Sequence, residues 1–180
     1  MQTIERISLF GRTATQTRAV NPLPGEEYTL KVALVYQDTM TRLCASQVRE
    51  LLAEVVGEAA LRCTKWEISA LRQPGVFADG VAALARADLI VVAVHDDAHF
   101  PAEFYLWVNL WLQQRCGLPG ALVALLGTSG GLSPSHNENR GYLHAVASQG
   151  RLELFFKECD GEAGVRHVLG EELMEWAKAA

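Results

Sequence analysis

The chain has 180 residues, 49% of them hydrophobic and 21% charged, and a net charge of −5. This is the composition of a globular protein long enough to bury a full core in one domain. The Lys and Arg residues are scattered and form no basic stripe to hold phosphates, which excludes nucleic-acid binding. No apolar run approaches the length that crosses a bilayer.

The segment 1–30 reads as an N-terminal arm. Ile4, Ile7, Leu9 and Phe10 give it some apolar character, and Pro22-Leu23-Pro24-Gly25 reads as a turn. Met1-Gln2-Thr3-Ile4-Glu5-Arg6 is not a basic segment leading into an apolar one, so the expectation is a cytoplasmic protein without a secretory signal. From 31 to 180 strands and helices alternate as one α/β domain. The first strand is Lys31–Gln37. The first helix runs from about Thr41 to Gly57, with Leu43, Val48, Leu51, Leu52, Val55 and Val56 at helical spacing. The second strand, about Leu61–Ile68, alternates apolar and polar residues like an edge strand. An alanine-rich helix follows over Val76–Arg86, then the third strand, Asp88–His95. Pro101 opens a helix that reaches Arg115. The fourth strand is Ala121–Leu126, Gly127–Asn139 reads as a loop, and a helix covers Arg140–Gln149. The fifth strand is Leu152–Lys157 and the last helix Ala163–Ala179.

Strands one, three and four are near-continuous apolar runs, the pattern of a parallel sheet buried on both faces. Five such strands with right-handed crossovers predict a three-layer α/β sandwich in order 2-1-3-4-5, the flavodoxin-like architecture. A Rossmann order is the competing topology. The carboxyl ends of parallel strands share one rim, where ligands bind. The expected rim residues are Asp38, Thr39, His95, Asp97, Thr128, Ser129 and Lys157.

Three resemblances bear on that rim. Asp38 after strand one, Asp96-Asp97 after strand three, Thr128 after strand four and Lys157 on strand five resemble the acids, Ser/Thr and lysine of response-regulator receiver domains. Asp97 also stands four residues before Pro101, as in that family's D-x-x-x-P run. The resemblance implies Mg²⁺ held by carboxylates and an aspartate that accepts a phosphoryl group. The chain departs from the family in having Gln37-Asp38 instead of two adjacent acids, and Glu158 instead of proline after the lysine.

Tyr36-Gln37-Asp38-Thr39-Met40-Thr41 and Gly127-Thr128-Ser129-Gly130-Gly131 resemble the phosphate loop and a flavin-side loop of flavodoxins and small FMN-dependent reductases. That resemblance implies FMN and an NAD(P)H oxidoreductase, with the phosphate on backbone N–H groups at a helix N-terminus. The loop lacks the glycine that admits phosphate to the backbone, and Asp38 adds negative charge. Thr39 or Thr41 acting as a plain helix cap is the structural alternative.

Leu34-Val35-Tyr36-Gln37-Asp38, Trp66 with Leu71, Ala87-Asp88-Leu89-Ile90-Val91-Val92, and Pro101 with Trp107 and Trp111 together resemble a family of uncharacterised bacterial proteins. That resemblance implies the same flavodoxin-like fold and a bacterial origin.

Other chemistry has thinner support. His95-Asp96-Asp97-Ala98-His99 offers metal-type ligands, with His136 as a distant partner, but no spacing completes a set. Ser129 followed by glycines is not the G-x-S-x-G elbow. Cys44, Cys63, Cys116 and Cys159 form no CxxC and are expected as four reduced, mostly buried thiols. The helix from Pro101 to Arg115 is apolar nearly all round, with only Asn109 polar across its middle. Such a helix is covered on both sides, either by its own chain or by a second copy. The expectation is a homodimer through 101–115. The overall reading is a regulatory or small-ligand-binding protein acting at the rim; the alternatives are the FMN-dependent oxidoreductase and the receiver-like phosphoacceptor. The sequence favours neither FMN nor Mg²⁺, and does not decide whether a reaction is catalysed.

Overall fold

The computed structural model describes residues 28–95, 99–127, 134–159 and 170–180. The expected arm, apart from its last three residues, lies outside them. The strands are β1 (Leu30–Tyr36), β2 (Leu61–Glu67), β3 (Leu89–His95), β4 (Gly120–Gly127) and β5 (Leu152–Cys159). They form one sheet in order β2-β1-β3-β4-β5, and every neighbouring pair is parallel. The expected topology is therefore the observed one, with β3 central. The largely buried β1, β3 and β4 occupy the middle, and the half-exposed β2 lies at an edge.

Among the described residues five α-helices cover the sheet: α1 (Thr39–Val56), α2 (Pro74–Ala85), α3 (Ala102–Arg115), α4 (Pro134–Gly150) and α5 (Gly170–Ala179). Alternation along each strand divides the core in two. Leu34, Val91, Val123 and Phe155 pack with Val48 and Leu52 of α1 and with Leu173 of α5. Val35, Val92, Ala124 and Leu126 pack with Leu84 of α2, Trp107 and Trp111 of α3, and Val146 of α4.

The apolar circumference of α3 is explained within one chain. Phe104, Trp107, Val108 and Trp111 are buried against the sheet and α2, while Tyr105 packs against Tyr142 of α4, ring centroids 4.8 Å apart. Gly80 lets α2 approach: a Cβ there would stand 2.7 Å from the Trp107 ring, whose Nε1–H donates to the Phe77 carbonyl at 3.1 Å. Of the apolar residues on this helix, Leu106 stays largely exposed, at 57%. The patch that motivated a dimer is thus mostly core.

Arg115 ends α3 and is itself only 1% exposed. It donates to the carbonyls of Leu84, Ala87, Leu118 and Pro119 at 2.7–3.2 Å. This fastens the ends of α2 and α3 to the turn before β4, at the end of the sheet opposite the rim.

Two expectations need correction. α4 begins at Pro134, six residues before the expected start. The polar run Ser135-His136-Asn137-Glu138 reads as loop by composition, but Pro134 suits a first helical turn. The four-thiol expectation also fails: Cys44 and Cys159 form a disulfide, and only Cys63 and Cys116 are free. The paired cysteines are 115 residues apart, and only the fold brings the end of β5 to α1.

Candidate functional site

The rim is built where β1 passes into α1. Asp38 caps the helix: its Oδ1 accepts the Thr41 backbone N–H at 2.9 Å. Thr41 Oγ1 in turn accepts the N–H groups of Gln37 and Asp38 at 3.0 and 2.9 Å. This reciprocal capping box uses three backbone donors in one turn. Thr41 is buried and closes the box; Thr39 is exposed in the first turn and caps nothing. The cap expected from a threonine is therefore supplied by the aspartate.

Two links carry this turn across to β3. The Gln37 side-chain carbonyl accepts the His95 backbone N–H at 3.0 Å. His95 Nε2 lies 2.7 Å from Asp38 Oδ2. The Thr41 N–H foremost holds the Asp38 carboxyl below its ordinary pKa; burial opposes it, and the contacts with His95 and with the Thr41 hydroxyl add to the lowering. An ionised carboxylate accepts from an Nε2–H, and in the neutral ring tautomer that supplies it Nδ1 is an acceptor. Both side chains are partly exposed, at 44% for Asp38 and 32% for His95. Gly127 makes room for the imidazole, since a Cβ at that position would stand 3.2 Å from Nδ1.

The sheet register extends this rim. His95 pairs with Gly127, and Gly127 with Cys159, so the ends of β3, β4 and β5 lie side by side. Lys157 pairs with Leu125, two residues inside the end of β5, and is half-buried. Asp97, Thr128 and Ser129 lie outside the described residues. His99 contacts Glu138 of α4 at 3.4 Å. Among the described residues no group of three His, Cys, Asp or Glu side chains is placed to hold a metal ion. Among them, too, no helix is long and apolar enough to cross a membrane.

The sequence reading chose Asp38 and His95 and offered Thr41 as a cap, but missed Gln37 and the reciprocal box through which Thr41 fixes Asp38. A Thr three residues after an Asp, before an apolar helical run, was the available signal.

A parallel sheet in this order with helices on both faces defines a flavodoxin-like fold. Solved structures agree. A short-chain flavodoxin associated with a non-canonical PDU bacterial microcompartment matches over 84% of this chain and 96% of its own, with a TM-score of 0.52 and 17% identity. An oxidoreductase from Corynebacterium diphtheriae matches over 83% and 90%, with a TM-score of 0.51 and 18% identity. The Megasphaera elsdenii flavodoxin matches over 82% and 96%, with a TM-score of 0.50 and 13% identity. At these identities the likeness is one of fold. No family model matches the chain, and no curated protein matches it in sequence.

The fold raises the question of FMN, whose phosphate the flavodoxin resemblance would set at the amino end of α1. Here a carboxylate of the chain already occupies that end, and the three donors of the capping box are turned inward. A phosphate dianion about 5 Å from a carboxylate, at an effective dielectric of about 40, is repelled by about 3 kcal/mol. A helix N-terminus returns about 0.3–1 kcal/mol. The residues of this turn do not fit a flavin phosphate.

Proposed function

We propose that this is a cytoplasmic small-ligand-binding protein with a regulatory role, whose site is centred on Asp38 and His95 at the carboxyl rim of the sheet. The observation that carries this reading is the 2.7 Å contact between His95 Nε2 and Asp38 Oδ2, made between two strand ends and left partly open to solvent. An imidazole oriented by a carboxylate offers Nδ1 to a hydroxyl or amine of a ligand. The ligand class this chemistry suits is a compact polar molecule carrying such a donor, not one anchored by phosphate.

A thermal-shift screen of small hydroxyl- and amine-bearing compounds, with FMN included, tests the reading. At least one non-phosphorylated compound should raise the melting temperature of the wild type and lose its effect with His95→Ala and Asp38→Asn. A compound set whose effects survive both substitutions would refute the site.

The second reading, an FMN-dependent oxidoreductase, draws support from the fold neighbours. These include flavodoxins and an azoreductase from Bacillus anthracis with a TM-score of 0.50 and 11% identity. The capped α1 terminus weighs against it. The homodimer through 101–115 also stands as a proposal; its available strip on α3 is Ala102, Leu106, Asn109 and Gln113, all exposed. A dimer mass by light scattering that halves with Leu106→Glu supports it, and a monomer mass for the wild type overturns it.

A further inference from the structure

We propose that the Cys44–Cys159 disulfide is an exchangeable redox tie that fixes α1 against the end of β5 and thereby sets the Asp38–His95 pair at the rim. Cys44 lies in the second turn of the helix whose cap is Asp38, six residues on. Cys159 is the last residue of β5, in register with Gly127 and, one strand further, with His95. At the spacing of neighbouring strands, about 4.8 Å, Cys159 stands about 10 Å from His95 along the same rim. The residues His95, Gly127 and Cys159 also share the sheet face covered by α1 and α5, because Ala93, Leu125 and Phe155, two or four residues earlier on their strands, all do. One covalent bond thus connects the helix that carries the acid to the strand ends that carry the imidazole.

Placement also separates this pair from the other thiols. Cys63 is on β2, at the opposite edge of the sheet, and Cys116 follows α3 at the end away from the rim. Neither is positioned to resolve a mixed disulfide formed at Cys44 or Cys159. Both paired residues are only half-buried, so an external thiol can approach. In a reducing compartment, disulfides are transient and sensing rather than structural.

The exchange needs a dithiol as reductant. One of its thiolates attacks a sulfur of the pair, a mixed disulfide forms, and the other cysteine leaves as a thiolate and takes up a proton. The second thiol of the reductant then attacks the mixed disulfide and releases the first cysteine. Two electrons and two protons pass to Cys44 and Cys159, and the dithiol becomes a disulfide.

The test uses the full chain carrying Cys63→Ser and Cys116→Ser, equilibrated in buffers of reduced and oxidised dithiothreitol. Alkylation under denaturing conditions should label no cysteine in the oxidised protein and two in the reduced one. Reduction opens a 115-residue loop and should lower the melting temperature by about 5–15 °C. The His95 imidazole signal should shift on reduction and return on reoxidation. Cys44→Ser in the same background should give the reduced-state signal and melting temperature, and not respond to the reductant. Where that variant does not fold, Cys159→Ser and the reversible cycle of the parent supply the same comparison. Two labels before reduction, an unmoved melting temperature or an unmoved His95 signal would each overturn the proposal.

Discussion

Replacing Asp38 with alanine removes two things at once: the acceptor for the Thr41 N–H and the partner of His95. Loss of an N-cap side chain costs about 1–2 kcal/mol. The hydrogen bond with the His95 ring is partly exposed and adds about 1 kcal/mol at most. The sum, about 2 kcal/mol, corresponds to a fall of about 4–8 °C in melting temperature for a chain of this size. Asparagine caps helices as well as aspartate does, so Asp38→Asn keeps the first contribution and should cost less than about 1 kcal/mol. The pH dependence separates the two further. The Thr41 N–H foremost, and then His95, hold the folded-state carboxyl below its ordinary value. Its charge therefore contributes stability above about pH 4, and that contribution is lost as the pH falls through the lowered folded-state value. The penalty of Asp38→Asn should vanish on the acid side, and that of Asp38→Ala should shrink. Urea unfolding followed by tryptophan fluorescence at neutral pH and along the acid limb measures both. An alanine penalty within about 0.5 kcal/mol of zero, or a gap that widens as the pH falls, would refute the assignment of Asp38 as an ionised cap.

Other substitutions probe the scaffold and the room around the site. Arg115→Met should cost about 3 kcal/mol or more, because it strips the donor from carbonyls of Leu84, Ala87, Leu118 and Pro119 packed around a buried guanidinium; chemical denaturation reads this directly. Gly80→Ala gains about 1 kcal/mol of helix propensity but forces a Cβ to 2.7 Å from the Trp107 ring, so a net melting-temperature drop is expected. Gly127→Ala should leave stability within about 1 kcal/mol of wild type while displacing the His95 ring, seen as a shifted imidazole resonance and a lost ligand response.

The fold was legible because three strands are apolar throughout and the fourth and fifth positions in the order follow from right-handed crossovers. Asp38 and His95 were legible as residues at strand ends, since parallel strands bring those ends to one rim. Their contact was not: it depends on Gln37 and Thr41 folding back on the turn, at distances that a strand-end pattern does not encode. The start of α4 was hidden by a polar first turn after Pro134. The coverage of Trp107 depends on a single small residue, Gly80, in a helix read only as alanine-rich. The Cys44–Cys159 pairing was invisible because cysteines on separate elements, 115 residues apart, carry no spacing signal.

The central claim is that this flavodoxin-like rim works through the Asp38–His95 pair with the amino end of α1 closed to a flavin phosphate. Titrating the protein into dilute FMN and following flavin fluorescence and absorbance tests it most directly. The account predicts no saturable change up to about 100 μM protein, a range in which binding stronger than about −5.5 kcal/mol would register. Stoichiometric quenching with micromolar affinity, retained by the wild type with its capping aspartate intact, would contradict it.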